Sequence, residues 1–407
     1  MIAAARGWRS PTVILLAGAV VLSLSFGIRH TFGLFLAPMS KELGWTREVF
    51  SFSIALQNLV YGAVSPFAGR LADRKGAGPV VLVSALVYTV GLLLMANAAT
   101  GSALALSAGL LVGAGLGGTT TAVVFGAIAR AVPPERRSAA MGIAMAVGSL
   151  GQFVLLPSAA KGIAAYGWSA TLLALAVVAV VVAPLSFALF ERIEPPASPQ
   201  ATMRLSTVLG EAFSQRGFWL LSLGFFVCGF HVTFIGTHLP AYLTDRGLDP
   251  GVGAVVLALV GLFNVGGSYA AGVLGGRMPK PAILVGIYLA RAVVIALFFL
   301  APVSEGSAYL FGAAMGLLWL STVPPTNGTV ATMFGVRNMA MLGGFVFFFH
   351  QIGSFLGGWL GGRVYAATGR YDLVWWLAIG LALLAALLNV PIKEAPVARL
   401  AAAPEGA

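Results

Sequence analysis

Two arginines and four histidines lie inside the long apolar runs of this 407-residue chain, clear of the last residues at either end, and no aspartate or glutamate lies there with them. They are Arg29, Arg291, His30, His231, His238 and His350. An ionisable side chain in hydrocarbon costs at least ~2.5–3.5 kcal/mol, so such groups face a cavity or a partner. With no acid to pair with, an anion is the simplest partner for Arg29, because a guanidinium holds a carboxylate through two parallel bonds. His231 and His350 sit mid-run, and an imidazole titrates near pH ~6.5, which suits loading and release of a proton. His30 points about 100° away from Arg29 around a helix and is expected to pack between helices. His238 precedes Pro240 near the end of its run and reads as a gate or interface residue. No two histidines have metal-ligand spacing and Cys228 is the only cysteine, so neither a metal nor another cofactor is expected.

Neutral polar groups join these bases. Thr119-Thr120-Thr121 follows a glycine-rich stretch, and Ser321-Thr322-Val323-Pro324-Pro325-Thr326-Asn327-Gly328 interrupts another run with two prolines. Prolines remove helix hydrogen bonds, and the carbonyls they free must meet protein or a cavity. Thr120, Asn327, Gln351 and Asn264 are candidate ligand contacts, and Gln57, Asn58 and Gln152 are further neutral groups able to serve a carboxylate.

What must position them is a membrane-embedded scaffold. Hydrophobic residues make up 59% of the chain and charged residues 9%, which excludes a soluble globular enzyme. Apolar runs fall at about 12–37, 49–71, 79–98, 101–129, 138–162, 168–190, 217–243, 251–275, 281–302, 306–333, 339–364 and 372–392, twelve candidate spans. The first is too long for a signal-peptide core and is expected to stay as an anchor. With both termini inside, sixteen of the 24 Lys and Arg residues fall in cytoplasmic segments and six outside. The net charge of +11 is then a matter of topology, and no nucleic-acid partner is implied.

Residues 191–216 are polar and proline-rich, dividing a six-helix half at 1–190 from another at 217–392, with a cytoplasmic tail at 393–407 expected to be disordered. A single offset of 202 pairs Gly27 with Gly229, Thr31 with Thr233, Pro38 with Pro240, Gly142 with Gly344 and Gly151 with Gly353. It also pairs Arg29 with His231, which predicts both on cavity walls at similar depth. Duplicated six-helix units with a site between them are one plan of secondary transporters.

The loop after the second run reads Gly69-Arg70-Leu71-Ala72-Asp73-Arg74-Lys75-Gly76. This Gly-x-x-x-Asp-Arg-x-Gly pattern resembles the signature of the major facilitator superfamily. The resemblance implies an all-α membrane protein with twelve transmembrane helices in two pseudo-symmetric six-helix bundles. It implies a gating latch in which Asp73, beside Arg74, pairs with Arg130 and caps the eleventh helix near Arg337. It places His231 and His350 on helices that line the cavity, and Arg291 on a peripheral helix where a structural role is expected. Pro133-Pro134-Glu135-Arg136-Arg137, Phe334-Gly335-Val336-Arg337 and His350-Gln351-Ile352-Gly353-Ser354-Phe355 resemble bacterial relatives of monocarboxylate porters and oxalate/formate exchangers. The acidic-Gly-Trp signature of animal-type porters is absent; Ser25-Phe26-Gly27-Ile28-Arg29 stands there instead.

The expectation is therefore a monomeric, multi-pass carrier of a bacterial inner membrane, without enzymatic activity. It moves a small organic anion, a monocarboxylate, by alternating access with protons or a counter-substrate, and His231 and His350 are the proton-coupling candidates. An exporter of drugs or hydrophobic solutes is the alternative within the class, favoured by the 26 phenylalanines. A non-transporting sensor with a transporter fold is the alternative outside it.

Overall fold

A computed structural model describes residues 10–133, 136–191, 205–335 and 338–397. Among these residues the chain is helical, with no strand. Each apolar run coincides with helix: α1 (Pro11–Leu43), α2 (Arg47–Lys75), α3 (Ala77–Met95), α4 (Gly101–Ala131), α5 (137–166), α6 (168–189), α7 (Arg216–Asp245), α8 (Pro250–Leu274), α9 (Lys280–Leu300), α10 (Glu305–Phe334), α11 (Met339–Thr368) and α12 (Asp372–Asn389). A short amphipathic helix, Leu205–Ser214, precedes α7.

Local chemistry sets the boundaries. Ser10 caps α1, its hydroxyl accepting from the Val13 N–H at 3.3 Å, and Pro11 takes the first turn, where its missing N–H is harmless. Gly44 ends α1 in the left-handed conformation, and Gly167 (φ 81°, ψ 170°) separates α5 from α6. Counting the stretch from Ala139 to Leu189 as one, ten described helices are long and apolar enough to cross a membrane. α2 is not among them, because Arg47, Glu48, Gln57, Asn58, Arg70 and Asp73 dilute its apolar residues.

Glycine-mediated approach defines which helices touch. A Cβ on Gly27 of α1 would meet the Gly151 carbonyl of α5 at 2.7 Å, and one on Gly229 of α7 would meet Ser354 of α11 at 2.9 Å. The 202-residue offset relates the two glycines Gly27 and Gly229 and, through them, the helix pair α1–α5 to α7–α11. It also relates Gly344 of α11 against Pro66 of α2 to Gly142 of α5 against Gly272 of α8. Such pairings let backbones approach where lipid supplies no hydrophobic drive between helices. Apolar side chains on α3, α6, α9 and α12, such as Val83, Val177, Leu297 and Leu387, are exposed, as suits a face toward lipid.

The start of the tail departs from the expected disorder. Glu394 pairs with Lys280 at 3.2 Å, and the Val397 N–H donates to the Met333 carbonyl at 3.0 Å, docking 393–397 under α9 and α10. Residues 398–407 lie outside the described residues.

Candidate functional site

Helices α1, α2 and α7 enclose a cavity of about 30 Å³, room for about two water molecules. α1 contributes Arg29, His30, Phe32 and Gly33. α2 contributes Ile54, Gln57 and Asn58, with Tyr61 one turn further along the same stripe, and α7 contributes Val232, Thr233, Gly236 and Thr237. The Arg29 guanidinium donates to Asn58 Oδ1 at 2.6 Å and lies 5.4 Å from the Tyr61 ring centre. Asn58 is oriented for this by its own Nδ2, which donates to the Ile54 carbonyl at 2.8 Å. Among the described residues no ion pair involves Arg29, so its charge meets only a neutral amide and a ring.

Contacts between distant parts of the chain tie the helices together on either side of this cavity, at ends termed inner and outer from the orientation that the Lys and Arg distribution predicts. At the inner end Asp73 Oδ1 accepts from Arg130 Nη1 at 3.0 Å, while Oδ2 accepts from the Met341 N–H at 3.1 Å in the first turn of α11. Glu191 takes the rest of the same guanidinium, at 2.6 Å and 3.1 Å. Two carboxylates thus share one arginine. Burial pushes the Asp73 carboxyl up to about 7, against the pull of Arg130 and the Met341 N–H, and the Glu191 charge adds to the rise. Burial works against the Arg130 charge, but Glu191 and Asp73 hold its pKa above the ordinary value. At the outer end Arg47 grips Asp245 with two bonds of 3.1 Å, reaches the Tyr371 hydroxyl at 3.4 Å, and stacks 4.4 Å over the Tyr365 ring.

The sequence model of the Major Facilitator Superfamily matches residues 15–358. The chain belongs to the major facilitator superfamily. Relatives of this superfamily member include human Monocarboxylate transporter 11, 27% identical over 96% of this chain and 83% of that protein. Rat Monocarboxylate transporter 13 is 26% identical over 90% and 84%, and the uncharacterised MFS-type transporter YcxA of Bacillus subtilis is 24% identical over 85% and 86%. Superfamily members of this kind are membrane carriers rather than enzymes.

Within this superfamily member, the residues singled out from the sequence do not all converge on one site. Arg29 lines the cavity, and so does His30, which was expected to pack between helices. His231, at the repeat position of Arg29, does not: its Nε2 lies 2.8 Å from the Ala378 carbonyl of α12. The neighbouring Val232 and Thr233 take the cavity wall instead, because the offset fixes a position along α7 but not the direction of its side chain. His350 also stays away from the lining; its Nδ1 donates to Gln351 Oε1 at 2.9 Å, and it lies within hydrogen-bonding reach of the Cys228 thiol.

Asn264 is a pin rather than a free donor. Its Nδ2 donates to Ser149 at 2.7 Å, and its Oδ1 accepts from Ser268 at 3.0 Å and the Leu320 N–H at 2.9 Å, tying α5, α8 and α10 together. Thr120 re-caps α4 after a break, accepting from the Val123 N–H at 3.1 Å, and Asn327 bonds the Val323 carbonyl of its own helix at 3.1 Å. His238 bonds the Gly358 carbonyl at 2.8 Å, a contact between α7 and α11 near the outer end. Arg291 is buried, its Nη2 donating to the carbonyls of Leu318 (2.7 Å) and Trp319, where α10 breaks. Arg74 is exposed without an ion pair among the described residues, and Arg337 lies outside them.

Glu191, Thr233 and the outer Arg47–Asp245 clamp were not foreseen. Only Thr233 had left a sequence trace, as the repeat partner of Thr31.

Proposed function

We propose that this superfamily member is a secondary transporter of twelve membrane helices in two six-helix halves, carrying a small organic anion, a monocarboxylate, by alternating access. The observation that carries the reading is Arg29: a guanidinium without a carboxylate partner in a cavity wall between two closed gates. A buried charge without a counter-charge is costly, and an anionic ligand supplies one. Two of its relatives are monocarboxylate transporters by name, which supports the same substrate class. The inner-face excess of Lys and Arg supports insertion in a bacterial inner membrane with both termini cytoplasmic. The anion travels with a proton or in exchange for another anion. His30 is the imidazole of the cavity wall, so it replaces His231 and His350 as the proton-coupling candidate nearest the ligand.

The test is ligand-induced thermal stabilisation of the purified carrier by short carboxylates, since a ligand that binds the folded state raises the apparent melting temperature. Stabilisation is expected in the parent, weakened in Arg29→Lys and absent in Arg29→Ala. Undiminished binding by a folded Arg29→Ala protein refutes the anion site and favours the hydrophobic-solute exporter.

A further inference from the structure

The cavity around Arg29 contains more than a cation. The Gln57 side chain is buried, and its Nε2 donates to the Ala108 carbonyl at 2.9 Å. That carbonyl belongs to a widened, π-helical turn of α4 at Ala105–Leu111. A carbonyl can only accept, so the bond fixes which end of the amide is nitrogen and leaves Oε1 as the other end. Oε1 is buried without a hydrogen-bond partner among the described residues, and Gln57 lines the cavity. An amide oxygen only accepts. Asn58 Oδ1, the other side-chain amide oxygen of the lining, is already taken by Arg29.

Thr233 faces the same cavity from α7, and its hydroxyl too is buried without a partner. A helical threonine ordinarily donates to the carbonyl four residues back. Here that carbonyl, of Gly229, receives the Ser354 hydroxyl at 3.1 Å. Arg29 and Thr233 therefore offer donors suited to a carboxylate, while Gln57 offers an acceptor that a carboxylate cannot satisfy.

We infer that the site reads a hydroxyl next to the carboxylate, so that the carrier prefers a short 2-hydroxy acid and discriminates against the 2-oxo and unsubstituted acids of the same length. The inference rests on the anion reading of Arg29. Once α1 and α7 part and the cavity widens beyond its closed-state volume of about 30 Å³, the carboxylate meets Arg29 and Thr233, and the ligand hydroxyl donates to Gln57 Oε1. A 2-oxo acid would set a second acceptor against that oxygen, and an unsubstituted acid would leave it unpaired. Sites that hydrogen-bond a ligand hydroxyl reject analogues lacking it, because the buried protein group is left without a partner.

The experiment measures binding of 2-hydroxypropanoate, 2-oxopropanoate and propanoate to the full-length carrier in lipid nanodiscs by calorimetry, at one pH. The expected result is at least tenfold tighter binding of the hydroxy acid. Gln57→Met should lose at least tenfold in affinity for the hydroxy acid alone, levelling the three. Thr233→Val, which keeps the shape and removes the hydroxyl, should weaken all three acids by a similar factor. The comparison of acids in the parent protein stands even if Gln57→Met does not fold. Equal binding of the three acids, still dependent on Arg29, overturns the hydroxyl reading and leaves the carboxylate site standing. Binding of none of the three, or binding indifferent to Arg29→Ala, overturns both.

Discussion

Acidification should close the inner gate. Asp73, Glu191 and Arg130 form a cluster in which two acids face one guanidinium, and the Asp73 side chain is only 8% exposed. In the closed state its carboxyl is pushed from 3.8 up to about 7, chiefly by burial. When α2 and α11 separate, the carboxyl meets water and returns toward its ordinary value. The closed state then holds the proton more tightly. Closure is strongest below the open-state pKa, near pH 4, and its advantage is lost as pH rises through about 7. Three pKa units correspond to roughly 4 kcal/mol, or up to about tenfold per pH unit in the closed-to-open ratio.

Asp73→Asn carries no charge at any pH and still offers an oxygen to the Met341 N–H, so its gate should stay closed and cease to respond. Slow transport with ligand binding kept within a few-fold follows. The assay is a double electron–electron resonance measurement between spin labels at Arg136→Cys and Arg277→Cys, both exposed, in a Cys228→Ala background. In nanodiscs at about pH 8 the parent should show a longer-distance population that shrinks toward about pH 5, while the Asp73→Asn protein shows the short distance at both. A parent distribution indifferent to pH, or one that lengthens on acidification, refutes the reasoning.

Three further outcomes are expected. Arg291→Met leaves the Leu318 and Trp319 carbonyls unpaired at the break in α10; it should cost about 1–3 kcal/mol, read as a lower melting temperature in detergent without a change in ligand selectivity. His231→Ala removes a bond to α12 rather than a cavity group, so it should lower the melting temperature while ligand affinity stays within about twofold at both acidic and neutral pH. Gly33→Ala should hold α1 off the Gly236 carbonyl of α7 and raise the outward-open population, seen as faster labelling of a cysteine placed at Ala37 by a membrane-impermeant reagent.

The helices were legible because apolar runs end at glycine, proline and charge, as at Pro250, although α1 runs through Pro38 to Leu43, beyond the run read as ending at 37. Arg29 was legible as a base without an acid, whereas the pairing of Asp73 with Arg130 came only through the resemblance to the superfamily. The direction of a side chain was harder to read. The offset aligned His231 with Arg29, yet a difference of two residues along α7 separates the ring that bonds α12 from the threonine that faces the cavity. The Gln57 acceptor depended on a π-helical turn in α4, and the apolar stretch Ala105-Leu106-Ser107-Ala108-Gly109-Leu110-Leu111 carries no sign of where a carbonyl will be freed. The outer clamp joins residues 198 positions apart, with no local pattern around Arg47 or Asp245 to announce it.

The helix pairs that meet beside the cavity are not closed alike. α2 and α11 meet along their whole length, from the Glu48–Arg363 pair at 3.5 Å, through Gly62 against Gln351, to Gly69 against Ala340. α5 and α8 meet where Gly261 packs on Gln152 and Gly142 on Gly272, but toward the outer end they leave a cleft of about 600 Å³. Gly33 lines both that cleft and the Arg29 cavity, and its contact with the Gly236 carbonyl joins α1 to α7 between them. The cleft walls are largely apolar, with Lys161 and Arg47 at its edge; Arg47 is engaged by Asp245, while among the described residues Lys161 has no ion pair. On the proposed reading, an anion entering through this cleft meets Lys161 before it meets Arg29. The step between them requires α1 and α7 to part at Gly33 and Gly236, which the Arg47–Asp245 clamp resists because it anchors the outer end of α7 to the start of α2. The outer gate is thus two contacts in series, a polar clamp between side chains and an apolar contact between backbones. Binding energy gained at Arg29 can favour their closure only after the ligand has passed both.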